Sequence, residues 1–456
     1  MRQHHTLIAR TVCILAMMTG YWVWTMGFAL GAPSPAIASM LLFANLACGI
    51  AVLTHGLHKP LSRTYLLVFS LFHFGLLPSF IFGLDAPGIL SSSWIVREPL
   101  AAAYGMSTVA FGFGCLVSTK PTNIRNGSVV SVTSNNLSSY RRIGSALIFG
   151  GSLTWFSVSV ATGGFGIFGV GYINFLASTP GLPLSLAYLS LSIGTVLFLG
   201  SLDKIRLSPV MAVLIITNLV LLRVGFRGEV MMPGAAALAL RAMFQNAPSA
   251  KKIAATIAGT LALIPGLAAI RLDGGLGSIA KLNPLDGLGE LGFTIRPVAL
   301  SIRWVGESGT RSGETYFGVL LRAMENFGLV SDPPAPVNTE VFEREGPIGF
   351  SPVAEGYLNF GSLGAVLAIG ATVWALRWFE DQRHEVSHFA GALFLAVMLY
   401  QVRNSFTQVP FQLLASAASL FACQLISSRG LQGPMDEPIR NMRPQRDSRN
   451  KWPERL

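Results

Sequence analysis

The chain has 456 residues, of which 51% are hydrophobic and only 12% charged, with a formal net charge of +11 at neutral pH. No ordinary soluble domain is so apolar, so the composition excludes one and indicates a polytopic membrane protein. The positive charge does not describe a nucleic-acid surface, because the Lys and Arg residues fall mostly in short connections between apolar runs, the pattern of positive-inside topology.

A helix of about 20 mostly apolar residues crosses a bilayer. About 12 such runs follow one another, near 8–30, 36–56, 64–83, 99–117, 143–162, 182–200, 207–222, 230–244, 252–270, 352–377, 387–402 and 408–426. The first run, after MRQHHTLIAR, is long enough to span and reads as an uncleaved helix rather than a signal peptide. Alternate connections are basic: Lys59 with Arg63, Lys120 with Arg125, Arg141 with Arg142, Lys204 with Arg206, Arg241 with Lys251 and Lys252, and Arg377 with Arg383. The charge rule then places both termini in the cytoplasm. The expected organisation is nine spans in 1–270, a long outward loop over 271–351, three spans in 352–428 and a basic cytoplasmic tail over 429–456.

The long outward segment carries both signs of charge, and TYFGVLLRAMENFGLV within it has the amphipathic spacing of a short helix on the membrane surface. GFGIFG, residues 164–169, matches a dinucleotide-binding pattern by letter only, since an apolar helix and not a strand precedes it; its glycines read as a bend or close packing. Cys13, Cys48, Cys115 and Cys423 lie inside apolar runs and read as small core residues, and no metal site is expected.

Three outward stretches concentrate chemistry. LLRVGFRGEVMMP places Arg223, Arg227 and Glu229 inside an apolar stretch too long for one crossing, so the chain must fold back there, with Gly225 and Gly228 available for the bend. The connection QVRNSFTQVP carries Arg403 beside Asn404. GFSPVAEGYLNFGSLG opens the tenth span, with Ser351 as N-cap and Pro352 in the first turn. Ser351, Glu355 and Asn359 then share one helix face near the outer surface. A charge at membrane depth is costly, so two readings of these arginines stand: ion-pair glue between helices, with Arg227 pairing Glu229 or Glu355, or a guanidinium clamp for the phosphates of a lipid-linked substrate. Glu355 is either a helix-dipole complement or a general base in a dehydrated groove.

RVGFRGEV, SGETYFGVLL, GFSPVAEGYLNFGSLG and an arginine in the short outward connection before the last span, taken in that order, resemble the bacterial O-antigen polysaccharide polymerases of the Wzy type. The similarity covers 207–428. Some members of that family carry an arginine and a glycine separated by ten residues in their large outer loops; here Arg303 reaches Glu314 and Arg344 reaches Glu355 at that offset, and Arg223 reaches Gly234, though inside the hairpin rather than a loop. The resemblance implies an all-α, GT-C-like glycosyltransferase of the bacterial inner membrane, acting at the periplasmic face on undecaprenyl-diphosphate-linked oligosaccharide repeats. In that reading Glu355 and Arg227 are catalytic, while Arg223, Arg403, Glu229, Tyr357, Asn359 and Asn404 bind substrate. No cofactor is implied, and a flippase and a chain-length regulator of the same pathway are the expected partners besides the bilayer. A lipid-linked oligosaccharide flippase and an O-antigen ligase are the rivals. A two-halved transporter should have a long cytoplasmic connection in mid-chain, where this one is short. A ligase is expected to carry an outer-loop histidine, and all seven histidines here fall inside or within a span.

Overall fold

The computed structural model describes residues 2–55, 59–84, 90–119, 134–164, 175, 181–244, 288–289, 291–325, 328–346 and 348–430. All regular structure among them is helical: α1 Arg2–Leu30, α2 Pro35–His55, α3 Pro60–Phe74, α4 Leu77–Phe82, α5 Ser93–Arg97, α6 Leu100–Ser118, α7 Ser134–Gly163 and α8 Gly181–Gly200. Then come α9 Pro209–Val224, α10 Arg227–Phe244, α11 Ile295–Ser308, α12 Glu314–Glu325, α13 Val337–Glu345, α14 Pro352–Asp381, α15 Glu385–Gln401 and α16 Val409–Gly430. Eight described helical stretches are long and apolar enough to cross a membrane, and α9 is a shorter apolar helix. The expected all-helical integral-membrane class therefore holds. Every predicted span coincides with a helix or a helix pair except 252–270, which lies outside the described residues, as does nearly all of the predicted tail.

Helices in lipid gain little from mutual burial of apolar side chains and associate through close packing of small residues. The tight α1–α6 pair follows this rule. A Cβ on Gly105 would collide with the backbone of Gly20 and Trp24, and one on Gly27 with the backbone of Ala101 and Ala102. All four cysteines are buried and free, as their apolar surroundings suggested.

The basic connections gather at one end of the bundle. There Glu380 accepts hydrogen bonds from Leu61 N at 2.6 Å, Ser62 N at 3.1 Å and Ser62 Oγ at 2.9 Å, capping the start of α3 from another helix. Lys59 pairs with Asp381 at 3.1 Å, and Arg377 donates to the carbonyls of Val117 and Ser118 that end α6. Gly391 packs on Phe379 and Leu61, and Gly200 on Leu240 and Phe389. Through these contacts the end extends to Arg141 and Arg241, which hold carbonyls of the 199–203 turn.

Two predicted spans are not single rods. The third breaks between Phe74 and Leu77, because Pro78 has no N–H to continue the ladder and Gly75 lies flush against the backbone of Leu288 and Gly292. The tenth folds back on itself. Phe360 (φ −137°, ψ 18°) and Gly361 (φ 65°, ψ −151°) leave the helical region, and a Cβ on Gly356 or Gly364 would strike the other's carbonyl. In a straight helix eight residues are about 12 Å apart. The short helix 352–359 is thus doubled against the start of 362–381, and only glycines at 356 and 364 allow the approach.

The long segment is more built-in than a surface loop. α11 buries Ile295, Val298, Ala299, Leu300, Ile302 and Trp304 against α6 and α14. An ion network fixes its polar side: Glu345 meets Arg303 at 2.6 Å, Arg97 at 2.9 Å and Arg296 at 3.0 Å, while Arg303 also reaches Glu98 at 2.8 Å. Arg311 and Arg344 pair with Glu340 at 2.6 and 3.0 Å.

These pairs carry a pH signature. Burial raises Glu345, but the Arg303 hydrogen bond and the charges of Arg97, Arg303 and Arg296 outweigh it, and its carboxyl lies below the ordinary glutamate value. The Arg311 hydrogen bond is the chief cause that lowers Glu340. A depressed folded-state value means stabilisation present above the unfolded glutamate pKa and lost as pH falls through the folded value. Glu98 acts in the opposite sense, since burial holds it above its ordinary value despite Arg303 and Arg97. With two depressed carboxyls against one raised, limited proteolysis should cut 291–346 faster once pH falls below about 4. A cleavage rate flat down to pH 3 would remove these pairs from the docking of the segment.

Candidate active site

The Ser351 side chain caps the short helix, accepting from Ala354 N at 3.1 Å, and this sets Glu355 one turn in and Asn359 a turn further on the same face, as the spacing predicted. Both are fully buried. Glu355 makes no ion pair within 4 Å among the described residues. Its Oε1 accepts from Thr315 Oγ1 at 2.8 Å and its Oε2 from Phe406 N at 2.6 Å. Asn359 Nδ2 donates to Thr315 Oγ1 at 2.7 Å and to the Glu355 carbonyl at 2.8 Å, and Asn359 Oδ1 accepts from Thr315 N at 3.2 Å.

Thr315 is the partner the sequence reading missed. It lay inside the quoted SGETYFGVLL, but the amphipathic pattern was read only for its apolar face. That face is indeed outward, with Phe317 63% and Leu320 61% exposed, while Thr315 and Gly318 turn inward. On the inward side Arg322 donates to the Pro334 carbonyl at 2.6 Å, keeps a buried Nη2 without a hydrogen-bond partner among the described residues, and lies within electrostatic reach of Glu355. Tyr316 sits edge-on to Phe406 at 5.1 Å and parallel to Phe360 at 6.2 Å. Burial first, and the nearby Glu355 charge second, push its phenol well above the ordinary tyrosine value.

The hairpin and the 402–408 connection meet at this same end. α9 ends at Gly225, which takes φ +115°, and Phe226 N and Gly225 N both turn back to the Leu221 carbonyl. The bend uses Gly225 alone; Gly228 lies inside α10, against Tyr400. Beneath the turn, Phe226 packs with Phe175, Trp155 and Tyr188. Tyr400 OH donates to Glu229 Oε1 at 3.4 Å, and Arg403 stands close enough for its charge to act on Glu229. Arg403 is exposed, and its carbonyl accepts from Phe350 N at 3.1 Å. Three residues on, Phe406 N reaches Glu355, so at about 3.4 Å per residue the Arg403 backbone is within roughly 10 Å of that contact. The 402–408 segment therefore joins the glutamate to the hairpin.

The other expected site residues are placed as follows. Arg223, at the end of α9, is exposed and makes no hydrogen bond or ion pair among the described residues. Arg227 begins α10, and its side chain lies outside the described part of the structure. Asn404 Nδ2 donates to the Tyr400 carbonyl at 2.9 Å and so closes the end of α15. Tyr357 is buried on the opposite side of its helix from Glu355, towards Trp24 of α1. Among the described residues no group of three or more His, Cys, Asp or Glu is arranged to hold a metal ion.

Comparison with known proteins gives two matches. The profile of the family described as O-antigen polysaccharide polymerase Wzy matches residues 58–329 and 336–429. Protein CapE of Staphylococcus aureus is 27% identical over 253 residues, covering 53% of this chain and 56% of that protein, so the match spans just over half its length. No solved structure matches.

Proposed function

Because the chain belongs to the O-antigen polysaccharide polymerase Wzy family, we propose that it joins undecaprenyl-diphosphate-linked oligosaccharide repeats into a surface polysaccharide at the periplasmic face of the inner membrane. The basic end of the bundle then faces the cytoplasm with both termini, and the 291–346 segment faces outward. The growing chain is the donor and the newly exported repeat the acceptor. A hydroxyl of the acceptor attacks the donor's anomeric carbon, the anomeric C–O bond to phosphate breaks, and the lipid diphosphate leaves with the electron pair. Glu355 takes the hydroxyl proton, and the outward arginines neutralise the diphosphate, as preorganised donors stabilise charge that develops during a reaction.

The observation that carries this reading is the position of Glu355. It is a buried carboxylate without an ion pair among the described residues, on a helix doubled back on itself, joined by 402–408 to the arginine-bearing hairpin. A carboxylate serving only as dipole complement would gain its stabilisation exposed on the first turn and would not need that burial. Deleting the gene and separating the surface glycan on a gel tests the proposal. Loss of the long ladder with a single capped repeat retained is the expected result; loss of all capping would point to a ligase or flippase and overturn it.

A further inference from the structure

The Thr315 hydroxyl makes the two hydrogen bonds that an attacking alcohol makes in front of a general base. Asn359 Oδ1 faces the Thr315 N–H, which can only donate, so Nδ2 is the end turned to Oγ1. Because Oγ1 accepts there at 2.7 Å, its proton is left for Glu355 Oε1 at 2.8 Å. We infer that the notch between Asn359 and Glu355 is the acceptor subsite, built for one hydroxyl of a sugar, and that Thr315 on α12 is a latch filling it until that hydroxyl displaces it. The inference rests on reading Glu355 as the base.

Burial makes a displacement necessary. Glu355 and Asn359 are each 0% exposed, so an incoming alcohol reaches Oε1 only by replacing a partner already there. Phe406 N is main chain, in a segment also held by the pairing of Phe350 N with the Arg403 carbonyl, and cannot rotate away. α12 is held differently. Thr315 and Gly318 are its buried residues, Tyr316 rests against Phe360 and Phe406, and left-handed residues flank it, Ser312 (φ 49°) and Gly313 (φ 93°) before, Gly328 (φ 69°) and Asp332 (φ 55°) after. Once the acceptor oxygen sits where Oγ1 sits, Asn359 Nδ2 occupies one lone pair and Glu355 receives the proton. The second lone pair is left to form the bond to the anomeric carbon as the diphosphate departs.

Two measurements on the full-length protein in nanodiscs test this, with the lipid-linked repeat extracted from cells lacking the gene as probe. Thr315→Val keeps the shape and removes the latch bonds, so it should extend the repeat at a half-saturating concentration about fivefold lower, because substrate no longer competes with closure. Asn359→Leu should lose extension as Glu355→Gln does. A Thr315→Val enzyme whose maximal rate drops tenfold or more, restored by Thr315→Ser, would overturn the latch and make Thr315 a positioning residue. Independently, Thr315→Cys in a chain whose four native cysteines are replaced should react with a maleimide severalfold faster when the repeat is added. Unchanged or slower labelling overturns the displacement even if the valine variant fails to accumulate. A Glu355→Gln protein that extends chains normally would overturn the proposed function along with the latch.

Discussion

Glu355→Gln is expected to reduce chain extension by about 10²–10⁴-fold, the usual cost of losing a general base, while binding of the lipid-linked repeat persists. Glutamine has the same shape, and its amide oxygen can still accept from either Thr315 Oγ1 or Phe406 N. With its oxygen on Phe406 N its NH2 group can donate to the second lone pair of Thr315 Oγ1, whose own proton then loses the carboxylate oxygen it was given to, so a modest loss of thermal stability accompanies the chemical defect. The two effects separate by magnitude. One lost hydrogen bond is worth about 1 kcal/mol, roughly a fivefold change in an equilibrium, and does not explain a thousandfold fall in rate. Glu355→Asp sharpens the distinction. Shortening by one methylene withdraws the carboxylate from its two donors, Thr315 on α12 and the fixed main chain at Phe406, and from the acceptor hydroxyl that would take the place of Thr315, so the aspartate variant should also be slow. A structural ion pair would tolerate the aspartate wherever its partner arginine could follow. The measurement is extension by purified protein with a separate binding assay. A glutamine variant with near-normal turnover would send the search for a base to Glu229.

Much of this was legible in the sequence because periodicity and capping act locally. The apolar runs gave the spans, the alternating basic connections gave a common end, and the Ser-Pro start with four-residue spacing put Glu355 and Asn359 on one face. What escaped was set by approaches between distant segments. EGYLNFGSLG reads as one continuous helix, and only the contact of Gly356 with Gly364 shows that the chain doubles back. Thr315 lies 40 positions before Glu355, and no local pattern links an exposed-looking amphipathic helix to a buried carboxylate. The inversion of α12 matters here: in water its apolar face would turn inward, whereas beside a bilayer the polar face docks and Phe317 and Leu320 face out. Arg303 and Glu345 illustrate the opposite limit. The sequence shows only that the segment carries both signs of charge; in the structure these two are consumed by each other and by Arg97, Arg296 and Glu98.

Arg223→Ala, Arg227→Ala and Arg403→Ala are each expected to cut chain extension by about 10²-fold or more, on the scale seen when one donor to a developing charge is removed, while the protein still inserts and accumulates. The structure makes the second half of that expectation specific. Arg223 is exposed and has no hydrogen bond or ion pair among the described residues, so its removal orphans no described partner. Arg403 anchors 349–350 through its main-chain carbonyl, which alanine retains, so the side chain can be removed without loosening the strand that leads to Ser351. Its loss does remove a charge that acts on Glu229, which predicts a smaller stability penalty for Arg403→Ala than for a disrupted core position. Lysine at each position should rescue only in part, because an ammonium keeps the charge but not the planar fork that grips two phosphate oxygens together. Binding of the lipid-linked repeat should weaken in the arginine variants and survive in Glu355→Gln, and that crossed pattern is what assigns diphosphate to one set of residues and the proton to the other. If all three alanine variants made polymer of normal length and amount, the arginines would be structural. Neutralising the leaving diphosphate would then fall to other cations at this end, with Arg322 the first to examine because its buried Nη2 has no hydrogen-bond partner among the described residues and its charge already acts on Glu355.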